Sequence, residues 1–297
     1  KLIGLEIEAL QAEHEETMKN IALYKDILDN YDSMAAVIIK DMDAIKKEYG
    51  RKRRTAIENA EEAVYEEKKM EEMEVCFLMD RFGYMKLIDK NAYERNKEAV
   101  HNENKYVFNC MNTDKICIFT DTGKMHTIKA VDIPLGRFRD KGTPVDNLSN
   151  YDSSQERMLY VAPVGQLRSD RLLFVTKTSM CKLVEGAEFD VAKRTIASTK
   201  LADEDELIFI GSASEMEQIV LQSHGGCFLR FLTQEVSTMK KTALGVRGMK
   251  LADDDYLEHA YLLAGHQEYT ISYHDKEYAL NKVRLAKRDT KGIKPRI

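Results

Sequence analysis

Apolar residues at helical spacing mark the first fifty residues of the chain. From Ile7 to Tyr31 they recur mainly in steps of three and four, which places one stripe along one helix face. Asn30–Ser33 has turn and capping chemistry, and a second stripe runs from Met34 to Tyr49 before Gly50. The pattern therefore predicts two coiled-coil-type helices joined by a short turn, assigned to residues 1–58.

Such a pair of helices cannot bury much surface alone, so we expect it to pack against further chain or a second copy of itself. The basic tetrapeptide Arg51–Arg54 has two open interpretations, a solvated helix end or a phosphate contact. The glutamate-rich stretch 59–72 is predicted to be an acidic connector.

After the connector, the helical spacing gives way to short apolar strands separated by turns. Five segments share one plan: a strand, a tight turn and a second strand with a basic or polar residue. They begin at Val75, Ile116, Leu172, Ile219 and Tyr269. Successive starts lie between 41 (116 − 75) and 56 (172 − 116) residues apart. A strand repeat of this size predicts a propeller-like array of sheets that stack to cover one another's faces.

The predicted fold class is therefore mainly β, with an N-terminal helical arm and about five four-stranded blades. The blades are assigned approximately to 73–113, 114–168, 169–215, 216–265 and 266–297. Glycine at the turns of the first, second and fourth segments supplies the positive φ that tight turns require. The third and fifth segments lack it, so we expect turns of another type there.

One phrase occurs twice, as KLADEDEL from Lys200 and KLADDDYL from Lys250. We interpret both copies as the same inter-strand turn in successive units, with the acids capping the turn and both lysines facing a phosphate. A magnesium site is the weaker alternative, because the acidic runs lack the glycine and spaced oxygen ligands of a calcium loop. In the last unit, KGIK from Lys291 is aligned with RGMK from Arg247.

Composition limits the possible classes of protein. The 297 residues include 43 % hydrophobic and 32 % charged residues, without an apolar run of membrane-spanning length or a signal-peptide pattern at the N-terminus. Because the chain begins with Lys1 rather than Met, we expect an excised fragment. The five cysteines are scattered and form no C-x-x-C pair, which argues against a disulfide framework or structural zinc and favours a cytoplasmic location.

The helical arm and the repeats together resemble the A subunits of bacterial type IIA DNA topoisomerases, the DNA gyrase A and topoisomerase IV A family. The segments KLIGLEIEALQAEHEETMKNIALYKDIL and IKKEYGRKRRTAI are similar to the end of the breakage-reunion domain. The hairpins, DKGTPVDNL from Asp140 and GVRGMKL from Gly245 are similar to the C-terminal β-pinwheel. The resemblance covers essentially the whole chain.

The resemblance implies an ATP-dependent isomerase that passes one DNA duplex through another. The implied partners are duplex DNA, a second A subunit and the topoisomerase B subunit, with ATP and Mg²⁺ on the B subunit and no cofactor in this fragment. The tyrosine nucleophile lies upstream in the family, so none of the fourteen tyrosines is assigned that role, and the fragment alone is expected to be inactive. No membrane partner is expected, and a chromosome-associated bacterial cytoplasmic location is implied.

One departure from the family bears on the reaction. Gyrase A subunits carry a QRRGGKG-type box after the first pinwheel hairpin, whereas the matching stretch here is NAYERNKEAVHNEN from Asn91. The strand region is also near neutral, with 33 basic (45 − 12) and 34 acidic (50 − 16) residues after position 70. These features favour topoisomerase IV-like relaxation or decatenation, with a gyrase carrying a degenerate box as the alternative.

A pinwheel that bends DNA needs lysine and arginine along its outer surface to contact phosphates. The predicted DNA-binding residues are Lys86, Arg95, Lys97, Lys124, Arg137, Arg139, Lys141, Lys177, Lys182, Arg230, Lys240, Lys241, Arg247, Lys250, Lys282, Arg284, Lys287 and Arg288. For each one alone, a solvated surface role is at least as good an account. For the clusters Arg137–Lys141, Lys240–Lys250 and Lys282–Lys294 taken as sets, DNA contact is favoured. A propeller scaffold that binds protein through its acidic turns is the alternative from another class.

Overall fold

The computed structural model describes residues 2–55, 71–265 and 268–295. The chain forms two compact units, residues 1–68 and 69–297. The first unit contains helices α1 (Leu2–Asp29) and α2 (Tyr31–Tyr49), as the apolar spacing predicted. The side chain of Asn30 caps α2 by accepting a hydrogen bond from the backbone N–H of Asp32 at 3.1 Å.

The apolar stripes of both helices are open to solvent. Leu10 is 67 % exposed and Met42 is 62 % exposed, and none of the helix side chains that the structure describes is buried. The predicted packing of this arm against another element stays a prediction.

The second unit is built from short strands with small helices between some of them. Its described strands are β1 Glu74–Asp80, β2 Tyr84–Asp89, β3 Asn104–Met111, β4 Lys115–Thr120, β5 Lys124–Lys129, β6 Thr143–Pro144, β7 Met158–Pro163, β8 Arg171–Thr176, β9 Met180–Glu185, β10 Thr195–Ala197, β11 Leu207–Ser212, β12 Gln218–Ser223, β13 Phe228–Leu232, β14 Val246–Arg247, β15 Leu257–Leu263, β16 Thr270–Tyr273 and β17 Lys276–Ala279. Its described α-helices are α3 Lys90–Arg95, α4 Lys97–Glu103, α5 Val145–Leu148 and α6 Val164–Leu167.

The strands form five antiparallel sheets, and the predicted mainly β fold is confirmed. Three sheets have four strands, in the orders β3-β1-β2-β6, β10-β5-β4-β7 and β11-β8-β9-β14. The fourth has three strands, β13-β12-β15, and the fifth has the single hairpin β16-β17 among the residues that are described.

Each four-stranded sheet takes its outer strand from the following unit. Strand β6 comes after the hairpin β4-β5, yet it pairs with β2 of the first sheet, where Met85 lies opposite Thr143. Strands β10 and β14 join β5 and β9 in the same way. The predicted blade bounds treat each blade as one continuous segment, whereas these exchanged strands interlock each sheet with the next unit.

In the fourth sheet, a single antiparallel residue pair replaces the exchanged outer strand. This pair also corrects the predicted alignment of KGIK. Ile293 lies antiparallel to Phe228, as Val246 lies opposite Cys181 in the third sheet. KGIK therefore aligns with LGVR, which starts three positions before RGMK, and the alignment with RGMK that was predicted from the sequence is wrong. The register of the backbone pairing decides the alignment, since short basic segments resemble one another in sequence.

Apolar side chains fill the spaces between successive sheets. Phe77 of the first sheet belongs to one buried cluster with Ile118 of the second, and Phe119 of the second belongs to another with Phe174 of the third. The face of the first sheet that carries Leu78 packs instead against Val100 of α4, which is fully buried. The array therefore begins with a helical cover over the first sheet.

Glycine takes the left-handed conformation at three of the hairpin turns, namely Gly83, Gly123 and Gly226. The expectation of another turn type in the third hairpin is wrong. Ser179 adopts the same conformation (φ 72°), and its N–H donates to the carbonyl of Thr176, as glycine does in the equivalent turns. The fifth hairpin does differ, because His274 and Asp275 both have positive φ in a two-residue turn.

Candidate nucleic-acid interface

The outer edges of the first four sheets are formed by one recurring type of segment. We call residues 136–144, 193–197, 239–247 and 286–294 the outer arms one to four. Arms one, three and four begin alike, because Gly136, Met239 and Ala286 each donate a backbone hydrogen bond to the second hairpin strand, at 2.8–2.9 Å. The arms therefore present equivalent positions on successive sheets.

Some predicted residues are exposed and form no hydrogen bond or ion pair through the side chain within the described structure. They are Arg137, Arg139, Lys250, Lys282, Arg284 and Lys287. Arg137 of arm one and Lys287 of arm four occupy the same position of their arms, since each lies six residues before the residue that enters the outer pairing. Exposed cations at repeated positions along sheet edges suit contacts to a curved chain of phosphates.

Other predicted residues are paired on the surface. Lys124 lies 2.9 Å from Glu156, and Lys177 lies 2.9 Å from Glu206. Lys240 lies 3.3 Å from Glu188 and retains 82 % exposure of its side chain. A phosphate would have to compete with these carboxylates.

The arms themselves use two predicted residues for attachment. Lys241 of arm three donates to the carbonyl of Glu188 at 2.9 Å, and its backbone N–H donates to the carboxylate of the same residue. Arg288 of arm four repeats this arrangement with Glu235. Both side chains hold an arm against the 3₁₀ turn that follows the hairpin.

Of the predicted residues, Lys182 is buried and Lys86 is half-buried. Lys182 is 1 % exposed, and its Nζ donates to the carbonyls of Lys241 and Ala243 at 2.7 Å each. Burial lowers the pKa of Lys182 to about 8, although the nearby charge of Glu188 acts in the opposite direction. Lys86 is half-buried and donates to the carbonyls of Phe138 and Asp140. The placement of Lys182 contradicts its predicted phosphate contact, because the surrounding arm leaves it no surface.

The side chain of Arg230 is also occupied by hydrogen bonds within the protein. Its guanidinium donates to the side chain of Gln218 at 2.8 Å and to the carbonyls of Asn281 and Val283. Lys141 lies over the ring of Tyr84, with its Nζ 4.2 Å from the ring centroid, and remains exposed.

The stretch in the place of the glycine-rich box forms helices α3 and α4. Arg95 donates to the carbonyl of Asn91 in its own helix at 3.1 Å, and Lys97 lies over the ring of Tyr93 at 5.9 Å. The two cations are exposed, but the segment serves mainly to cover the first sheet through Val100.

Four exposed arm cations were not among the individually predicted residues, namely Lys193, Arg194, Lys291 and Lys294, although the last two fall within the predicted cluster Lys282–Lys294. Lys141, Arg194 and Lys291 occupy one shared arm position, and Arg247 and Lys294 occupy another. Aligning the segments on the glycine of KGT, LGV and KGI would have found the residues of arm four.

One acid in each copy of the repeated phrase accepts hydrogen bonds from a neighbouring hairpin turn. Asp205 accepts hydrogen bonds from the N–H and the hydroxyl of Thr178 at 3.1 and 2.6 Å. Asp255 accepts from the N–H of Gly225 at 2.8 Å in the next unit. Within the described residues, no group of three or more His, Cys, Asp or Glu side chains is arranged to hold a metal ion. Lys200 and Lys250 stand exposed at the start of both phrases.

All five cysteines are free. Burial raises the pKa of Cys76 to about 11 and that of Cys110, Cys117 and Cys181 to about 12. Because the thiolate is the reactive form, these four side chains serve as apolar core rather than as nucleophiles. No described helix is long and apolar enough to cross a membrane.

Comparison with known proteins agrees with this architecture. The family model for the DNA gyrase C-terminal domain, a β-propeller, matches residues 114–153, 170–214 and 217–264. Among solved structures, the C-terminal domain of DNA topoisomerase IV superposes with a TM-score of 0.66 at 22 % identity, covering 75 % of this chain and 72 % of that chain. The E. coli ParC C-terminal domain gives a TM-score of 0.59 at 13 % identity, over 75 % and 94 %. These two likenesses establish the fold.

The relatives found by sequence are DNA gyrase A subunits. The DNA gyrase A subunit of Clostridium acetobutylicum is 30 % identical over 259 residues, which are 84 % of this chain and 31 % of the relative. That of Ureaplasma parvum is 25 % identical over 98 % of this chain and 36 % of the relative. The chain thus spans about a third of the length of these relatives. The interlocked sheets define a topoisomerase-type C-terminal β-pinwheel. The chain belongs to the family of bacterial type IIA DNA topoisomerase A subunits and corresponds to their C-terminal region.

Proposed function

We propose that this chain is the DNA-binding and DNA-bending C-terminal part of an ATP-dependent type II DNA topoisomerase A subunit. It holds a duplex along the outer arms and presents it for strand passage. The observation that carries the proposal is the recurrence of exposed cations at equivalent positions of the arms, such as Arg137 and Lys287. Phosphate contacts of this kind bend DNA without reading bases.

The proposal extends to the parent enzyme. There the A subunit forms a homodimer, and a B subunit supplies ATP hydrolysis and the catalytic Mg²⁺ in the bacterial cytoplasm. The cleaving tyrosine belongs to a part of the A subunit other than this segment, so the 297-residue chain alone relaxes no plasmid.

Topoisomerase IV-like relaxation or decatenation is the favoured reaction. The support is the stretch 90–103, where two short helices cover the first sheet instead of a glycine-rich basic loop. A DNA gyrase with a degenerate box is the alternative, favoured by the gyrase A relatives. Assays of the full-length A and B subunits on relaxed plasmid and on linked DNA circles separate these alternatives, since only a gyrase introduces negative supercoils.

DNA binding by the chain itself is tested by gel shift with linear duplex DNA at several salt concentrations. The test variant replaces Arg137, Arg139, Lys250 and Lys287 by Ala, because these side chains are exposed and form no hydrogen bond or ion pair within the described structure. The matched control removes four exposed lysines of the helical unit, Lys19, Lys40, Lys46 and Lys47.

The two variants lose the same charge, so a difference between them reports location. If all four replaced cations contact phosphates, the slope of log affinity against log salt falls by about 3.6, or 0.9 for each contact. The control retains the wild-type slope. Absence of DNA binding by the wild-type chain at low salt would overturn the proposal and favour a scaffold that binds protein through its acidic turns.

A further inference from the structure

Two lysines with an unusual setting occupy the same position in their hairpins. Lys86 in β2 and Lys182 in β9 each stand three residues after the left-handed residue of the turn, Gly83 and Ser179. Each ammonium reaches two carbonyls of an outer arm that is contributed by the next unit. The two sheets therefore share both the position of the lysine and the kind of group that it binds.

The acceptor positions coincide when the arms are aligned. Phe138 and Asp140 stand six and four residues before Pro144 in arm one, and Lys241 and Ala243 stand six and four residues before Arg247 in arm three. Pro144 and Arg247 both pair with the first residue of the second hairpin strand. One clamp, a lysine on two alternate carbonyls, thus recurs in the first and third sheets.

Burying the ammonium of such a lysine is unfavourable if the side chain only fills space in the core. Lys182 is 1 % exposed and forms no ion pair within the described structure, although burying an ammonium without a carboxylate partner is unfavourable. In the fourth sheet the same position is occupied by Leu229, which is 1 % exposed and packs in the core. An apolar residue is therefore compatible with packing at this position. The specific contribution of the lysines is the pair of hydrogen bonds that each donates to an arm.

Each lysine binds its arm between the two points where the arm backbone bonds to the sheet. In arm three, Met239 donates to Leu183 at one end and β14 pairs with β9 at the other, with Lys182 Nζ between them. Lys241 of this arm is also bound to Glu188, and its carbonyl also accepts from the N–H of Lys200. Exposed Arg137 and Arg139 flank the clamped carbonyl of Phe138 in arm one, and exposed Lys240 precedes that of Lys241 in arm three.

We propose that Lys86 and Lys182 are positioning residues for DNA contact, which fix the backbone of arms one and three so that the arm cations face the duplex. This inference rests on the proposed function. Neither lysine touches a phosphate itself. Their effect on DNA is transmitted through the carbonyls of the arms.

The test compares Lys86→Met, Lys182→Met, the double variant and Lys182→Arg in the 297-residue chain. Lys90→Met is the control, since Lys90 is an exposed lysine on α3 that pairs with Glu74 and donates to no arm carbonyl within the described structure. Two quantities are measured, amide hydrogen exchange of peptides from the arms and the salt dependence of binding to linear duplex DNA.

We expect each Met variant to lose exchange protection in its own arm, 136–144 or 239–247, with the other arm unchanged. The double variant binds DNA about tenfold more weakly at low salt, and its salt slope falls by about 2 although no phosphate contact was removed. Lys182→Arg, which retains donors for the two carbonyls, recovers part of the protection. Lys90→Met behaves as wild type.

Equal protection of the arms in wild type and both Met variants would overturn the inference, and so would an unchanged salt slope in a folded double variant. Loss of protection throughout the molecule in each single variant would also overturn it, by assigning the lysines a general structural role. If the wild-type chain binds no DNA, the proposed function fails and the DNA half of this inference fails with it, whereas the exchange data still report whether the clamps hold the arms.

Discussion

Arg247 and Asp289 join two neighbouring outer arms through a two-point ion pair. Arg247 Nε lies 2.5 Å from Asp289 Oδ1, and Nη2 lies 3.0 Å from Oδ2. The hydrogen bond from Arg247 lowers the pKa of Asp289, and the same bond raises that of Arg247. Under the proposed function, a phosphate that binds Arg247 would therefore have to displace this carboxylate.

Asp289→Asn is expected to strengthen DNA binding several-fold at low salt, because it removes a negative charge beside the arm and frees Arg247. The backbone of Asp289 is left-handed (φ 65°), a conformation that Asn tolerates well. Both side chains are partly exposed, at 53 % and 38 %, so we expect their ion pair to contribute little to the free energy of unfolding. Titration of labelled duplex measures the affinity.

Asp254→Asn provides the matched control for this change. Asp254 is an exposed acid with left-handed backbone (φ 64°), and its side chain forms no ion pair within the described structure. An equal gain in affinity from both substitutions would mean that net charge, rather than release of Arg247, is responsible.

The sequence revealed the repeat but not which of its cations are available. Lys182 and Lys240 are both lysines in basic, strand-rich segments, yet one is buried and the other has a side chain 82 % exposed. The difference arises because the outer strand of each sheet is supplied by the following unit and covers part of the hairpin. Exposure therefore depends on contacts about sixty residues apart, such as that between Lys182 and Lys241. Local patterns of apolar and charged residues carry no information on such contacts.

Local chemistry did predict the hairpins and the cap of α2. The turn glycines determine their own backbone conformation, and Asn30 caps the helix through a hydrogen bond to Asp32. Both features can therefore be recognised from a few consecutive residues. The left-handed backbone of Ser179 could not be predicted locally, because hydrogen bonds from residues outside the turn hold it. Its carbonyl accepts from Gly248 at 2.6 Å and its hydroxyl accepts from the N–H of Met249 at 2.7 Å.

Gly245→Ala is expected to destabilise the second unit by about 1–3 kcal/mol. Gly245 is left-handed (φ 108°) where arm three enters the sheet, and a Cβ there would lie 2.7 Å from the carbonyl oxygen of Cys181. Urea unfolding measures the loss. Gly165→Ala is the control, since the nearest atom to its added Cβ is a side-chain oxygen 3.7 Å away and its φ is not in the left-handed region. Similar losses in both variants would contradict the steric explanation.

The lowered pKa of Lys182 predicts a dependence of stability on alkaline pH. Its pKa is about 8 in the folded chain and 10.5 ordinarily, mainly because burial disfavours the ammonium. Between these values the unfolded chain binds more protons, so the contribution of Lys182 to the free energy of unfolding becomes more favourable as pH rises from about 8 to 10.5. Below pH 8 both states are protonated, and the cost of burial is fully present.

Urea unfolding of wild type and Lys182→Met at pH 7.5 and 9.5 checks this sign. The stability of the wild type relative to the variant should increase at the higher pH, because Met does not titrate. A constant difference between the two proteins would show that Lys182 keeps its ordinary pKa.

Glu156 predicts a second pH dependence, on the acid side. Its side chain is 4 % exposed and lies 2.9 Å from Lys124 Nζ and 3.0 Å from His126 Nε2. Burial by itself would raise the pKa, but hydrogen bonds from His126, Lys124 and Thr120 outweigh it and lower the pKa of Glu156 to about 2. The folded pKa lies below the ordinary 4.5, so the stabilisation is complete above pH 4.5 and is lost as pH falls towards 2.

Glu156→Gln should therefore be less stable than wild type at pH 6, and the gap should narrow at pH 3, where the wild type has begun to lose the benefit of its carboxylate. Glu215→Gln, at an exposed position, controls for the removal of one acid. Urea unfolding of the three proteins at both pH values is the measurement. A gap of equal size at pH 6 and pH 3 would mean that Glu156 titrates as in the unfolded chain, and that the contacts from Lys124 and His126 do not favour its charged form.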